Sequence, residues 1–495
     1  MNVDVAPAAT PLFANETCDV VVIGAGIAGI STAYELACRK LSVLVIDRGR
    51  IAGGMTARTT AHLAPLCDDL MTEMMKIRGL EASKAFYESH AAAVDRIEEI
   101  HRIEKIDCDF RRLDGYLFQG NDMPADLIDE ELDAVRAVGA PVDRLVGVPL
   151  EGCDSRQVLR YPRQATFHPL KYLAGVVAAA SRLGVRFFHE TAVEEIREDS
   201  DAVTVKTTRA TISASHAVVA TNAPISDRFA LHTKMAPYRT YAMTFSSKRG
   251  ALPDALYWDT EDPYHYVRLQ PGAGGEDLLI VGGEDHKSGE ADDADARFAR
   301  LERWIRQLVP SLGEERHRWS GQVLDTVDYA AFIGRDPGSK HIYVATGDSG
   351  QGMTHGVLGA LLNADLIVKG DSPWAATYAP GRVPIAGAQN YLRENITALK
   401  NLWEYLAPGE VSSVAELKPG QGAILRRNLS KIAAYRDMEG ALHLHSAACT
   451  HIGCHLHWNS FETCWDCPCH GSMFAVDGTP INAPAVTALA RMMDD

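Results

Sequence analysis

Asp19-Val-Val-Val-Ile23-Gly24-Ala-Gly26-Ile-Ala-Gly29, near the start of the chain, is an apolar run that passes straight into a G-x-G-x-x-G turn. The run reads as a buried parallel strand. A helical stretch follows, through Ser31 to about Arg39, and a second apolar strand, Val43–Ile46, ends at Asp47. That acid stands 18 positions after the last glycine. A glycine triplet alone carries little information. Set between a strand and a helix, with an acid at that distance, it has the context that dinucleotide binding requires. Gly24 permits the tight turn, Gly26 lets backbone approach a pyrophosphate, and Gly29 lets the helix pack closely on the strand. The helix N-terminus then faces the phosphates, and Asp47 can accept hydrogen bonds from ribose hydroxyls.

Outward from that stretch, the chain has 495 residues, 46% hydrophobic and 23% charged. At roughly 150 residues per domain this predicts about three globular units. A net charge of -16 argues against nucleic acid or anionic lipid as the main partner. No apolar window of spanning length is present, and the N-terminal residues lack the pattern of a secretory signal. The expectation is a cytoplasmic protein with no membrane span. Five cysteines are scattered over the first third, and five more (Cys449, Cys454, Cys464, Cys467, Cys469) crowd the end among histidines. In a reducing compartment such a cluster points to metal before a disulfide scaffold.

The periodicity predicts helices over about Leu70 to Glu104, from His168-Pro169 to about Leu183, and from Met353 to about Lys369. Strands are expected at Val185–Phe188, Val203–Thr207, Ala217–Ala220 and Ile342–Ala345. Tyr241–Phe245, Tyr264–Leu269 and Leu278–Val281 suggest an antiparallel sheet. Ala375 to Pro384 reads as a linker, Gln389 to Leu406 as a helix, and short strands follow from Glu410.

The glycine fingerprint does not separate FAD from NAD; its surroundings do, by resemblance. Gly53-Gly-Met-Thr-Ala-Arg58-Thr-Thr60-Ala-His62 resembles the second flavin segment of the D-amino-acid oxidase and glycine oxidase superfamily. Asp325-Thr-Val-Asp-Tyr-Ala-Ala-Phe-Ile-Gly334-Arg-Asp-Pro is similar to its strand-turn near the flavin ring. Val344-Ala-Thr-Gly347-Asp-Ser-Gly350-Gln-Gly352-Met353-Thr354 resembles its terminal flavin motif. Thr191-Ala-Val193 and Ala217-Val-Val-Ala-Thr221-Asn resemble its adenine-side segment and third strand. The resemblance implies FAD held by Gly24, Gly26, Gly29, Asp47, Arg48, Arg58, Thr59, Thr60, Val193, Gly347, Gly350, Gly352, Met353 and Thr354. Some members attach flavin through a histidine in the second segment; Arg58 stands there in this chain, so the FAD is expected to be non-covalent. His62 is a ring-contacting candidate, or equally a packing histidine. No second strand-linked G-x-G-x-x-G provides a nicotinamide site.

At the other end, Cys449-Thr-His451-Ile-Gly-Cys454 and Cys467-Pro-Cys469-His470-Gly-Ser472 are separated by fifteen residues between His451 and Cys467. They resemble the two boxes of Rieske 2Fe-2S proteins. Two thiolates hold one iron and two imidazoles the other, which raises the potential to about −150 to +300 mV. The resemblance implies Cys449, His451, Cys467 and His470 as ligands, and a bracing disulfide between Cys454 and Cys469. Residue types alone also fit a structural zinc site. Cys464 matches no cluster role and reads as a packing thiol. Ser472 stands where the family places a hydroxyl that bonds a cluster sulfur. Phe474 stands where high-potential members often have tyrosine, so a lower potential is expected.

The expected architecture is therefore an α/β FAD-binding domain, Rossmann-like and of the glutathione-reductase type (17–80, 160–230, 325–380). An α+β antiparallel-sheet substrate domain (81–159, 231–324), a linker or helix (381–409) and an all-β Rieske domain (410–495) complete it. The resemblance implies a dehydrogenase that oxidises a small amine or amino acid, with electrons leaving singly through the cluster to a one-electron acceptor protein or quinone. The alternatives are an oxidase that uses O₂ and a non-catalytic redox carrier or sensor; a Rieske oxygenase lacks its D-x-x-H…His iron site here. Arg268 is put forward to hold a substrate carboxylate, and His355 to face the ring or cap its helix. Arg239, Tyr241 and His265 read as ordinary sheet surface.

Overall fold

The computed structural model describes residues 3–493 apart from 122, 125, 151, 152, 154, 227, 228, 384–407, 428 and 429. The apolar run forms the strand Glu16–Ile23, with Val20, Val21 and Val22 buried. It pairs in parallel with Val43–Ile46 on one side and Thr211–Val219 on the other. Arg186–Phe188 and Ile342–Thr346 extend the parallel sheet outward, and Phe332–Arg335 closes it antiparallel. Eight strands make up this sheet, including the hairpin Val193–Glu198 and Val203–Thr207. Helices Ile27–Cys38 and Gly352–Lys369 pack on each other over it. Gly29 lets helix Ile27–Cys38 lie close against the strand and turn that precede it: a Cβ there would lie 1.8 Å from the Gly24 oxygen.

A second, nine-stranded sheet runs Glu315–Thr326, Met235–Lys248, Glu276–Lys287, His265–Pro271, Leu256–Asp259, Arg111–Phe118, Gln157–Thr166 and His62–Leu63, with Asp143–Val146 beside Gln157–Thr166. It is antiparallel except between Leu256–Asp259 and Arg111–Phe118. The expected long helix is Met71–Ile103, interrupted at Gly79, whose φ of 75° is not helical. Helix Pro169–Arg182 begins at His168, whose side chain accepts from the Lys171 N–H. The C-terminal part carries a three-stranded sheet (Gly422–Arg427, Ser430–Arg436, Leu442–Ser446) and a four-stranded one (His457–Asn459, Cys464–Asp466, Met473–Phe474, Pro480–Asn482). The helix expected over 389–406 lies outside the described residues. In the stretch read as a linker, Ala375–Tyr378 is helical and Arg382 is anchored, its Nε and Nη2 each 2.8 Å from the Asp328 carboxylate.

Arg239, Tyr241 and His265 are not sheet surface. Alternation predicts a wet face only where nothing covers the sheet. Here helix Ala294–Leu308 packs on one face of Met235–Lys248 and Glu276–Lys287. Tyr241 is buried there, its ring 5.1 Å from that of Phe298. His265 is buried beside Asp259, 3.0 Å away, and stacks on Trp304. Burial opposes its charge, but Asp259, Glu284 and Glu261 hold its pKa up at about 9. Arg239 is covered by the C-terminal part. It is 1% exposed, with Nη2 at 3.0 and 2.8 Å from the two oxygens of Asp466, itself 2% exposed.

This ion pair heads a network between the two halves of the chain. Arg239 Nη1 donates to Ser320 Oγ, Ser320 Oγ donates to Glu462, and Arg58 pairs with Glu462 at 2.6 Å. Arg48 donates to the Pro480 carbonyl at 3.0 Å. Leaving one partner of a buried pair uncompensated costs about 3–5 kcal/mol, whereas replacing both by apolar groups is often neutral. Arg239→Leu is therefore expected to split the melting of the protein into two transitions, with the C-terminal domain released first. Arg239→Leu combined with Asp466→Leu is expected to restore a single transition in scanning calorimetry.

Candidate functional site

A cavity of about 740 Å³ runs between the two large sheets. Apart from Gly29, every residue put forward for the flavin lines it. One end is walled by Asp47, Arg48, Thr191 and Val193. Asp47 accepts the Ala25 N–H at 2.7 Å and the Gly49 N–H at 2.8 Å, so its carboxylate is fixed beside the turn. The middle is formed by the two glycine loops. Helices Ile27–Cys38 and Gly352–Lys369 start there with no side-chain cap and no acid in the first turn. Their N-terminal dipoles are thus left for an anion. Gly347 and Gly350 have φ of 74° and 77°, and a Cβ on Gly350 would lie 2.3 Å from Asp68 Oδ2. A cavity of this length, with two open helix starts and a fixed acid, fits a flavin dinucleotide.

The other end is built by the second sheet: His62, Thr240, Trp258, Tyr264, Tyr266 and Asp285, with Asp68 from the loop before helix Met71–Ile103. His62 lies here with its Nε2 3.4 Å from the Val267 carbonyl and its ring 5.2 Å from that of Tyr266. Burial, helped by Arg268, lowers its pKa to about 3, so it is neutral. Tyr264 donates to Asp68 at 3.0 Å. Burial pushes Asp68 up to about 6 and Asp285 up to about 7. Arg268 does not line the cavity. It is buried behind it, donating to the Thr60 carbonyl, to Leu269 O at 3.2 Å and to Gln270 at 2.9 Å. His355 lines the cavity, with Nδ1 2.9 Å from the Asp348 carbonyl, and burial lowers its pKa to about 4. Asp68, Tyr264, Tyr266 and Asp285 were not put forward from the sequence as a set. Tyr264 and Tyr266 belong to an expected strand of the substrate sheet, where tyrosines can hold a carboxylate or shape an amine pocket; the sequence carries no corresponding signal for Asp68 or Asp285.

In the C-terminal part the two motif loops meet. The Cys449 and Cys467 thiols are hydrogen-bonded to each other, and the rings of His451 and His470 lie 5.1 Å apart. Cys467 first, then the amides of His451 and Ile452 and the Ser472 hydroxyl, bring the Cys449 pKa down to about 7 against burial. Cys454 and Cys469 form a disulfide beside them. Cys464 is buried and free, as the sequence suggested. His470 is 9% exposed, and its Nδ1 is buried without a hydrogen-bond partner. Paired thiols on one side and paired imidazoles on the other, one with an orphaned nitrogen, fit a 2Fe-2S cluster. The disulfide removes Cys454 and Cys469 as zinc thiolates.

The two sites share a wall. Thr479, Pro480, Ile481, Asn482, Ala483 and Val486 of the C-terminal domain line the cavity. Gln322 also lines it, and its Nε2 donates to the carbonyl of Gly471, next to His470, at 3.0 Å. Gly471 has φ of 82°, and a Cβ there would stand 3.0 Å from Gln322 Nε2, so only glycine brings the loop this close. On the other side His232, buried on the flavin half, places its ring 4.8 Å from His451 and 5.6 Å from His470.

Acid precipitation of the purified protein is expected to release its flavin into the supernatant, since Arg58 offers no attachment chemistry. His470→Ala is expected to bring iron and acid-labile sulfide to background while the flavin remains bound. Iron retained in that variant, or zinc in its place, would contradict the ligand set.

The family model for FAD dependent oxidoreductase matches residues 19–366, and that for the Rieske 2Fe-2S domain matches 408–492. A chain of Bacillus subtilis named YhfW and described as a Rieske 2Fe-2S iron-sulfur protein is 31% identical over 98% of this chain and 95% of its own. Gamma-glutamylputrescine oxidoreductase of Escherichia coli is 25% identical over 72% of this chain and 84% of its own. Glycine oxidase from Geobacillus kaustophilus has the same fold over 74% of this chain and 99% of its own, with a TM-score of 0.64 at 20% identity. Among the described residues no helix is long and apolar enough to cross a membrane. The chain belongs to the FAD dependent oxidoreductase family and carries a Rieske 2Fe-2S domain at its C-terminal end.

Proposed function

We propose that this protein is a dehydrogenase of C–N bonds in a small amine or amino acid, whose electrons leave one at a time through the Rieske cluster. The observation that supports this most is the shared wall. Gln322 faces the flavin cavity and is bonded to Gly471, one residue from His470. Bound FAD supplies two-electron acceptance from a C–N bond, and the cluster supplies one-electron transfer. The residues proposed to hold FAD are those lining the cavity from Gly24 and Gly26 to Met353 and Thr354. Cys449, Cys467, His451 and His470 are proposed to hold the cluster.

The chain's own contribution is placement. Thr479–Ala483 covers one side of the cavity, so that side is closed by the domain proposed to take the electrons. Gln322 is held at both ends of its amide: Nε2 donates to Gly471, and Oε1 accepts from Asn482 Nδ2. His62 is proposed to shape the ring face as a neutral imidazole. Arg268 is proposed to act behind it, holding Thr60 in place. The carrier alternative would leave the cleft occluded or poor in charge; instead it is roomy and contains carboxylates. Amine and amino-acid chemistry is the work named for the relatives, gamma-glutamylputrescine oxidoreductase and glycine oxidase.

Anaerobic stopped-flow with a panel of amines, amino acids and N-methyl compounds tests this. Flavin bleaching is expected to be followed by the cluster's EPR signal. Gln322→Leu is expected to leave bleaching unchanged and slow the EPR signal about tenfold, equivalent to about 1.4 kcal/mol of barrier. Reoxidation of the bleached flavin by air with the cluster never reduced would establish the oxidase instead.

A further inference from the structure

We infer that the substrate end of the cavity is built for an aliphatic amine cation that carries no carboxylate. This deepens the function proposed above and rests on it. The first support is the charge of the lining. Asp68 and Asp285 come from separate elements, the loop before helix Met71–Ile103 and strand Glu276–Lys287, and both face the same end of the cavity. The Oδ1 of Asp285 is buried without a hydrogen-bond partner, although the Thr240 hydroxyl supports the carboxyl group. A buried acceptor left unmade is costly, and a ligand N–H or ammonium is the group that would complete it.

The second support is the fate of every cationic side chain near that end. Arg268, the guanidinium that an amino-acid substrate would need, is turned away and spends its donors on Thr60, Leu269 and Gln270. Arg58 is paired with Glu462 and donates to the Ser320 carbonyl. His62 and His355 are held neutral by burial. Arg48 lies at the opposite end beside Asp47. His265 and Arg297, whose charges reach Asp285, do not line the cavity and are paired with Asp259 and Asp293. Among the described residues, a substrate carboxylate placed here would therefore meet Asp68 and Asp285 with no unpaired cation in the lining to offset them. A carboxylate gains no ion pair from these acids and is repelled by whichever of them is ionised, whereas an ammonium is attracted.

The third support is aromatic. Tyr264 and Tyr266, with ring centroids 5.7 Å apart, stand beside the two acids, and Trp258 completes that side. Ring faces next to carboxylates attract an organic cation and gain nothing from an anion. Burial has already raised both carboxyl groups toward neutrality. A bound ammonium is the counter-charge under which they ionise.

The experiment uses the FAD- and iron-loaded full chain and two unreactive probes of matching length, 2-amino-2-methylhexane and hexanoate; the amine's ammonium keeps three N–H donors, and its α-carbon bears no hydrogen to transfer. Each is titrated against the visible spectrum of the oxidised flavin. The expected result is saturable perturbation by the ammonium probe and none by hexanoate. Asp285→Asn is expected to weaken the ammonium about 10- to 100-fold, the range for losing one charge-assisted contact, while Asp285→Glu retains most of the binding. Asp68→Asn serves as the second variant, and flavin and iron contents report whether each variant is folded. Hexanoate binding as tightly as the ammonium overturns the inference, as does ammonium binding indifferent to both asparagine variants. In the anaerobic assay, bleaching by alanine and proline but not by N-methylbutylamine or 1,4-diaminobutane overturns it too, and leaves the proposed electron route standing. Bleaching by those amines without the cluster's EPR signal does the reverse.

Discussion

The buried pair between Arg239 and Asp466 is the contact on which the arrangement of the two redox sites depends. It is poor evidence for stability, since burying both charges costs several kcal/mol of hydration before their attraction returns any of it. What it supplies is direction. One guanidinium nitrogen meets both carboxylate oxygens, a neighbouring one is committed to Ser320, and Asn459 donates to Asp466 from the other side at 2.8 Å. Asp466 immediately precedes Cys467, so fixing its carboxylate fixes the start of the second cluster loop. Five residues on, Gly471 reaches Gln322, and the strand Pro480–Asn482 pairs back onto Met473–Phe474 and closes the cavity. Gross hydrophobic docking would tolerate a slip of an ångström or two. The hydrogen-bonded ion pair does not.

Along the cavity the electrostatics change sign. At the phosphate end, two uncapped helix starts and the glycine loops present amide dipoles that favour anions. At the far end the second sheet presents Asp285, and the loop before helix Met71–Ile103 presents Asp68. The two regions meet at Gly350, where the absence of a Cβ lets Asp68 approach the loop backbone. The whole chain is acidic, yet net charge does not explain this polarity. It arises because one wall is made of helix ends and the other of side chains from a strand and a loop.

Much of this was legible in the sequence wherever the chemistry is local. The first glycine turn, the strand Val43–Ile46 and the two C-x-H and C-x-x-H boxes each depend on neighbours a few residues away, and spacing alone constrains them. The substrate sheet was only half legible, because strands such as Arg111–Phe118 and Gln157–Thr166 carry polar residues that dilute the alternation. Arg268 shows where the alternation rule runs out. Tyr264, Tyr266 and Arg268 share a face, and the tyrosines do line the cavity. Two residues advance a strand by about 6.8 Å, which carries Arg268 past the cavity and under Thr60. Arg239 failed for another reason: its partner is 227 residues away on a separate domain, and nothing in a strand pattern announces that the exposed face will be covered.

The same covering bears on how electrons would leave along the proposed route. His232 of the flavin half packs on the rings of both His451 and His470, and His470 is buried. Within the proposed route, the imidazole side of the cluster is therefore turned inward, toward the half of the chain that holds the flavin. What remains to the outside is the partly exposed His451 and its neighbour Ile452, which is 40% exposed. An imidazole edge open to solvent would serve an acceptor and the flavin in turn, and would require the domain to swing between them. With one imidazole facing inward and the edge of the other outward, the proposed route would separate entry from exit without a swing of the domain. The buried Arg239–Asp466 pair is then an asset, because no motion has to break it.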